Sequence, residues 1–444
     1  GNSASGAGFN DGGGIRSDGT LTLTNSTLSG NSVSGSSSNN FGGGIYNAGT
    51  STITNSTLSG NSISGGGSVN FGGGIYRSSG TLTLTNSTLS GNSVSGGIGN
   101  DGGGIYNNSG ATPKALNTII AKNTAGNGPD VNGTFTSLGH NLIGISNGST
   151  GFTNGQNGDR VGTTAAPIDP LLAALGNYGG PTQTIALLPG SPAIDAGDNC
   201  VTQASHCGDA SISQIGTDQR TLANRMVNGN VDIGAFESRG FTIAVTSGTP
   251  QSAVFGTAVG SPLVATVSSA FAEPIVGGQV IYTAPPSGAS ATFTGGVTTL
   301  AVIINASNQA SANATANGTV GGPYNVSAGG SGIAGTATFS LTNTQSNQTI
   351  TFNALGNKTF GGADFAVSAT ASSNLPVSFT ASGNCTISTN TVHLAAAGSC
   401  TITAKQAIVT STPRRMFRKA SRLLKRHRPP RLLLRSIRRA WHKA

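Results

Sequence analysis

The sequence predicts an all-β protein: a right-handed parallel β-helix of coils about thirty residues long, followed by β-sandwich modules. Three observations predict it. Ile15, Ile45, Ile75 and Ile105 each close a Gly-Gly-Gly-Ile unit at spacings of 30, 30 and 30, and a fixed period in that range marks a stack of repeated supersecondary units. Within each repeat apolar and polar residues alternate with period two, as in Thr20-Leu21-Thr22-Leu23-Thr24 and Thr81-Leu82-Thr83-Leu84-Thr85, which is the pattern of a strand. From about residue 240 the text changes to alternating runs such as Leu263-Val264-Ala265-Thr266-Val267 and Ala337-Thr338-Phe339-Ser340-Leu341, separated by turn signals as in a sandwich.

Residues 1–165 read as the coils. Leu28, Val33 and Ile15 supply further apolar points on short strands bounded by Gly, Ser and Asn, so one repeat is expected to be a coil of three short strands. A single coil cannot bury that face alone, whereas stacked coils form parallel strands around a continuous interior. Asn25, Asn55, Asn86 and Asn117 recur at 30, 31 and 31, as do Asn31, Asn61, Asn92 and Asn123. Both rows are expected to stack as amide ladders at the turns. The glycine triplets suit corners where a Cβ would collide with the next coil. Residues 34–41, 64–71 and 95–101 vary most and read as one loop per coil on a single face. The first residues match the text from Gly30 to Gly35, so the chain reads as a fragment that begins inside a coil, with upstream coils and export signal missing.

Residues 166–239 are turn-rich with a few apolar anchors, suited to capping the open end of the β-helix. Their blocks are Asn177-Tyr178-Gly179-Gly180-Pro181-Thr182, Pro189-Gly190-Ser191-Pro192-Ala193-Ile194-Asp195, Thr217-Asp218-Gln219-Arg220 and Asp232-Ile233-Gly234-Ala235-Phe236-Glu237. Joined to the repeats, these motifs resemble the bacterial choice-of-anchor Q domain, a pectin-lyase-like β-helix of exported proteins with varied surface anchors. The resemblance covers roughly residues 1–238 and implies extracellular display without a known reaction. Thr221 stands where that family usually has Gly after Asp-Gln-Arg, which puts the local turn geometry in question. Residues 240–345 are similar to bacterial Ig-like modules of surface proteins, and 346–405 resemble part of a second one.

Composition bounds the function. Charged residues are only 8% and aromatics 5% of the 444, a composition that alone would look disordered, but the strict repeat with inward Leu, Ile and Val argues for ordered β-structure; no apolar run is long enough for a transmembrane helix. The formal charge of +9 is concentrated in residues 406–444, which hold 13 Lys and Arg and no acid. The body before it carries ten basic against fourteen acidic residues, which gives nucleic-acid binding little support. The tail reads as out of frame or disordered; an amphipathic reading would align Met416, Phe417, Ala420, Leu423 and Leu424 for an anionic membrane. The four cysteines fall into two local pairs, Cys200 with Cys207 and Cys385 with Cys400. Neither has zinc-ligand spacing, and short-loop disulfides of an exported protein are expected.

Candidate chemistry is sparse. A lyase on this fold needs carboxylates grouped around Ca²⁺, and a glycosidase needs paired carboxylates. Asp11 and Asp101 each precede a glycine triplet but lie three coils apart, roughly 14 Å at one strand spacing per coil, with Phe41 and Phe71 between. The one polar cluster is Asp195, Asp198, Asp218, Arg220, Asp232 and Glu237. It reads first as ion pairs and turn caps, with Asp195, Asp198, Asp218 and Asp232 as weak Ca²⁺ candidates; no other cofactor is legible. His140 and His206 stand alone. The sequence therefore points to an exported, monomeric rod with a structural or adhesive role and an unidentified glycan or protein ligand. A carbohydrate-active enzyme with its active site in missing coils is the alternative.

Overall fold

The computed structural model describes residues 1–406 apart from 36–38, 67–68, 109 and 223; the basic tail from residue 407 lies outside the described residues. Residues 1–165 form a parallel β-solenoid. The three coils between Asn10 and Ser95 contribute five short strands each and the later coils fewer, giving five parallel sheets of four to six strands. We letter them in chain order within the second coil: sheet A holds Asn40–Phe41, B holds Ile45–Asn47, C holds Thr50–Thr54, D holds Thr57–Ser59 and E holds Ser62–Ser64. The expectation of three strands per coil is therefore corrected to five. Strands of two or three residues place only one side chain inward, so period-two alternation is visible only in the five-residue strands of sheet C.

Register is residue-for-residue. Ile15, Ile45, Ile75, Ile105 and Val131 pair in sheet B, and Leu28, Leu58, Leu89, Ile120, Ile143 and Val161 pair in sheet D. With Leu23, Ile53, Leu84 and Ala115 of sheet C these rows fill the interior, where Ile45, Ile53, Leu58, Ile75, Leu84 and Leu89 are wholly buried. Sheet E adds a separate small row, Val33, Ile63 and Val94. At the A-to-B corner a Cβ on Gly13 would run into the Gly43 carbonyl oxygen of the next coil, and Gly12 sits at φ +69°; only glycine fits both demands.

The two asparagine rows behave differently. Asn31 Nδ2 donates to Asn61 Oδ1 at 2.8 Å, Asn61 to Asn92 at 2.9 Å and Asn92 to Asn123 at 2.9 Å. Each Oδ1 also accepts the backbone N–H of the preceding coil's asparagine, at 3.1, 3.0 and 3.0 Å. The ladder ends on Asp130, which accepts from Asn123 N and Nδ2 at 2.9 Å each and from Ile145 N at 2.7 Å. Burial pushes the Asp130 carboxyl up to about 6 against the pull of those donors. A second ladder, unnoticed in the sequence, joins Asn10, Asn40, Asn70 and Asn100 through amide links of 3.1, 2.9 and 3.2 Å.

The row expected at Asn25, Asn55, Asn86 and Asn117 does not ladder in this way. All four residues are left-handed, with φ between 46° and 48°, and three of their amides reach outward to residues 198–225. Asn55 donates to the Thr217 carbonyl at 2.8 Å, and Asn117 both donates to the Asp198 carbonyl and accepts its N–H. The Asn86 oxygen, in the orientation the hydrogen-bond network requires, accepts from Arg225 Nε at 2.9 Å.

Residues 241–344 form a β-sandwich. One sheet has the order Gln309–Ala312, Leu263–Ser268, Phe241–Ser247, Ile333–Ala334; the other runs Gln251–Val254, Ala337–Thr344, Gly321–Gly329, Gln279–Thr283, Thr299–Ile303. Tyr282 is buried at its centre against Phe339, and its hydroxyl donates to the carbonyls of Leu263 and Ala310 at 3.1 and 2.7 Å. Residues 350–405 form short antiparallel ribbons around Val367, Cys385 and Val392. Disulfides join Cys200 to Cys207 and Cys385 to Cys400, with Cα–Cα distances of 4.9 and 5.5 Å.

Replacing Asn61 by alanine strips the partners from Asn31 N and Nδ2 and from the Leu28 carbonyl it binds at 3.0 Å. At about 1–3 kcal/mol per buried group left unpaired, Asn61→Ala should cost about 3 kcal/mol or more, measured as a lower urea midpoint with an unchanged m-value.

Candidate functional site

The sequence singled out the charged residues of 195–237, and the structure places them against the flank of the solenoid. This corrects the expectation of an end cap. The outward row of sheet D, Thr27, Thr57, Thr88, Ile119 and Leu142, is covered by residues 168–237, which we term the strap. Gln219 is its pin: Nε2 donates to Thr27 Oγ1 at 2.9 Å and to the Gln183 carbonyl at 3.0 Å, while Oε1 accepts from Thr57 at 2.6 Å. Gly234, at φ +103°, lies so close that a Cβ there would sit 2.7 Å from Ile119 Cδ1. Its N–H donates to the Asn117 carbonyl at 2.8 Å, and Ala235 N–H donates to Thr88 Oγ1 at 3.0 Å. Farther down the flank Ile119, Ala121 and Leu142 pack against Ala186, Leu187, Ile233 and Phe236. The solenoid's threonines are thus largely engaged, and Thr54, Thr57, Thr85 and Thr88 are buried.

Beneath the strap lies a sealed ionic cluster. Arg220 Nε binds Asp218 Oδ2 at 2.7 Å, its Nη2 donates to the Glu237 carbonyl at 2.5 Å, and its guanidinium stacks 3.6 Å over Phe236. Arg225 Nη2 donates to the carbonyls of Asp232 and Gly234 at 2.7 and 2.6 Å, and its Nε is 3.7 Å from Glu237 Oε2. Asp232 accepts the N–H groups of Asp195 and Ser238 at 2.7 and 2.6 Å. Glu273, from the β-sandwich, completes the set: it accepts from Ser238 Oγ at 2.8 Å and from Arg239 N at 3.0 Å. Arg225, Arg239 and Glu273 escaped the sequence reading. The first two were legible as the nearest positive charges able to offset a run of acids; Glu273 was not, because it arrives from another module.

The Ca²⁺ candidates are corrected by this geometry. Asp218 is paired with Arg220, Asp232 is spent on backbone amides, and Asp198 caps the short helix Asn199–Thr202 by accepting from Cys200 N at 2.8 Å. Asp195 stands apart, with φ 54°. Among the described residues no group of three or more His, Cys, Asp or Glu could hold a metal ion. His140 binds the Ala196 carbonyl through Nδ1 at 2.8 Å and so helps dock the strap.

The flank left uncovered is formed by the outward positions of sheets A and B. In sheet A, Asp11, Phe41, Phe71 and Asp101 pair in register; in sheet B, Arg16, Tyr46, Tyr76 and Tyr106 do. The rings stack diagonally between coils, Phe41 on Tyr76 at 4.5 Å and Phe71 on Tyr106 at 4.2 Å. Arg16 lies 4.8 Å over Tyr46 and reaches Asp11 at 2.5 Å and Asp18 at 3.0 Å. Burial, reinforced by Tyr46 and Tyr106, pushes the Tyr76 phenol up to about 12, and burial raises the Asp11 and Asp101 carboxyls. Ring faces are largely spent on one another, so the strip presents ring edges, phenol hydroxyls and a carboxylate at either end. The sequence carried the signal, since Ile-Tyr recurs at 45, 75 and 105.

Comparisons with known protein families, with curated proteins and with solved structures find no match for this chain.

Two outcomes follow from the strap. Thr221 sits at φ 61°, a region that a β-branched residue adopts only with strain, so Thr221→Gly should raise stability by about 1 kcal/mol, read from the thermal midpoint. Burial holds the Asp232 and Glu237 carboxyls above their usual range, and the Asp232 charge adds to the shift on Glu237. A carboxyl whose folded pKa exceeds its unfolded one binds an extra proton in the folded state. Its contribution is most favourable at or below the ordinary carboxylate range and is lost as pH climbs through the raised value. Urea midpoints measured at about pH 5, 7 and 9 should fall with rising pH, and Glu237→Gln should flatten that slope.

Proposed function

We propose that this protein is an exported bacterial surface module with a structural or adhesive role, in which the solenoid is a rigid stalk presenting one lateral surface to a glycan or protein ligand. The observation that carries the reading is the uncovered flank. Of the solenoid's lateral surfaces, sheet D and much of sheet C lie under the strap, while in the aromatic strip Phe41, Tyr46, Phe71 and Tyr106 stay half-exposed around a buried Tyr76. Aromatic rings with polar tips are favoured at interfaces because they combine large apolar area with a hydrogen-bonding group at low entropic cost.

Supporting the location, two disulfides fit an oxidising compartment, and among the described residues no helix is long and apolar enough to cross a membrane. Tandem β-sandwich units behind the stalk accord with surface display. The likeness of the strap's Pro-Gly-Ser-Pro-Ala-Ile-Asp and Asp-Ile-Gly-Ala-Phe-Glu blocks to the choice-of-anchor Q domain, and of the sandwiches to Ig-like modules, belongs to this proposal. Those blocks have a physical task here: Ile194, Ile233 and Phe236 are buried on the solenoid side, and Asp232 and Glu237 belong to the sealed cluster. Asp11 and Asp101 stand at opposite ends of the strip, and the carboxylates that do cluster, Asp218, Asp232 and Glu237, are closed to solvent.

The test is retention of the full chain on immobilised neutral and acidic polysaccharides and on extracellular-matrix proteins, with new reducing ends assayed in parallel. Retention should occur on at least one support and drop about tenfold or more when Tyr46 and Tyr106 are both changed to serine, consistent with losing two interfacial aromatic anchors. Retention unaffected by those changes, no retention at all, or release of reducing ends would each overturn the reading.

A further inference from the structure

Where the strap meets the β-sandwich, a cleft of about 350 Å³ is lined by Asp195, Asn228, Arg239, Phe241, Phe271 and Ile333. Domain junctions with an apolar floor and a few convergent polar groups are the usual setting of small-ligand sites. This one uses no residue of the aromatic flank.

Three features distinguish its walls from ordinary surface. Arg239 differs from the other two arginines of the ionic cluster. Arg220 and Arg225 are almost wholly buried and donate at 2.5–2.7 Å, whereas the Arg239 side chain is 30% exposed and its Nε is 3.6 Å from Glu273 Oε1. That Nε is buried without a hydrogen-bond partner. Phe271 is 46% exposed, lines the cleft, and its ring lies 4.2 Å from the Arg239 guanidinium. The polar groups are also fixed from behind. Asp195 is held left-handed at φ 54° with its N–H on Asp232 Oδ1 at 2.7 Å, and Arg239 N is held by Glu273 at 3.0 Å. Asn228, also left-handed at φ 54°, is set in the turn closed by Asn230 N on the Val227 carbonyl at 3.3 Å. Such walls need little ordering on binding.

We propose that this cleft is a saccharide site that takes a neutral pyranose unit. Asp195 offers acceptors only, Arg239 donors only and Asn228 both, a set that vicinal hydroxyls satisfy because each hydroxyl donates and accepts. The Phe271 ring supplies an apolar surface for the C–H face of a sugar. The Arg239 charge is already met by Glu273 at 3.6 Å, which leaves little pull for a carboxylated sugar beside Asp195, and an amino sugar would meet the Arg239 guanidinium.

Titration calorimetry of the full chain tests this with glucose, galactose, mannose and N-acetylglucosamine, set against glucuronate and glucosamine. At least one neutral sugar should bind, and Phe271→Ala should weaken it about tenfold, the loss expected when a ring contact of about 1.4 kcal/mol is removed. Asp195→Asn should weaken it as well, with a thermal midpoint close to that of the parent chain. Binding of none of the neutral sugars, preference for a charged one, or equal affinity in both variants would overturn the proposal. Serine at Tyr46 and Tyr106 should leave this affinity unchanged. A loss there would assign the sugar to the flank instead, so the two readings fail separately.

Discussion

The structure depends on axial register. Each coil of the solenoid pairs with the next through parallel strands in which residue n meets its counterpart about thirty positions on. The inward isoleucines therefore lie on other aliphatic side chains, and the asparagines of the Asn10 and Asn31 rows on one another. The amide rows are the sharpest expression of this constraint. Each Asn of the Asn31 series spends its oxygen on the preceding coil and its Nδ2 on the next, so the buried polar line is satisfied only if no coil slips. A shift of one residue would reverse inside and outside along the whole stack, and the asparagines would lose every partner together. Asp130 can end the series because a carboxylate accepts from several donors and need not donate onward.

From that register follows the behaviour of the outer surface. Stacking identical text outward would leave flat rows of threonine on sheets C and D. Instead the outward row of sheet D drifts from Thr27, Thr57 and Thr88 to Ile119 and Leu142, and the strap follows the same gradient. Its polar half, with Gln183 and Gln219, lies on the threonines; its apolar half, with Ala186, Leu187 and Phe236, lies on the aliphatics. The left-handed asparagines at the C-to-D corner act as brackets, turned outward by their backbone to hold the strap's carbonyls and Arg225. Glu273 ties the β-sandwich into the ionic cluster, and the outer flank of the solenoid, the strap and the sandwich share one apolar cluster, separate from the solenoid's interior.

This arrangement explains why the protein's conspicuous charges and its open surfaces lie in different places. Asp218, Arg220, Arg225, Asp232 and Glu237 are withdrawn from solvent, and such buried pairs hold neighbouring elements in one arrangement more than they add net stability. Among the described residues, the aromatic strip of sheets A and B and the cleft at the junction lie at the surface, away from this cluster. Both stand on backbones whose hydrogen bonds are already made, which suits binding by a rigid surface.

Some of this was determined by the sequence alone. Period, strand direction, inward residues, glycine corners and the Asn31 row are all local text repeated at fixed spacing, and translational symmetry converts spacing directly into contact. The Asn10 ladder and the Tyr46 row are encoded in the same way, by recurrence at thirty residues. Five strands rather than three per coil lay beyond pattern reading, because a two-residue strand has no period. The strap's position, the outward turn of the Asn25 row, the partners of Asp218 and Asp232 and the arrival of Glu273 were decided only by tertiary structure. Residues 166–239 carry no repeat, so nothing in their spacing says whether they close an end or cover a side. That choice rests on which outward row offers the matching sequence of hydroxyls and methyls, a property of the stacked coils and of no single segment.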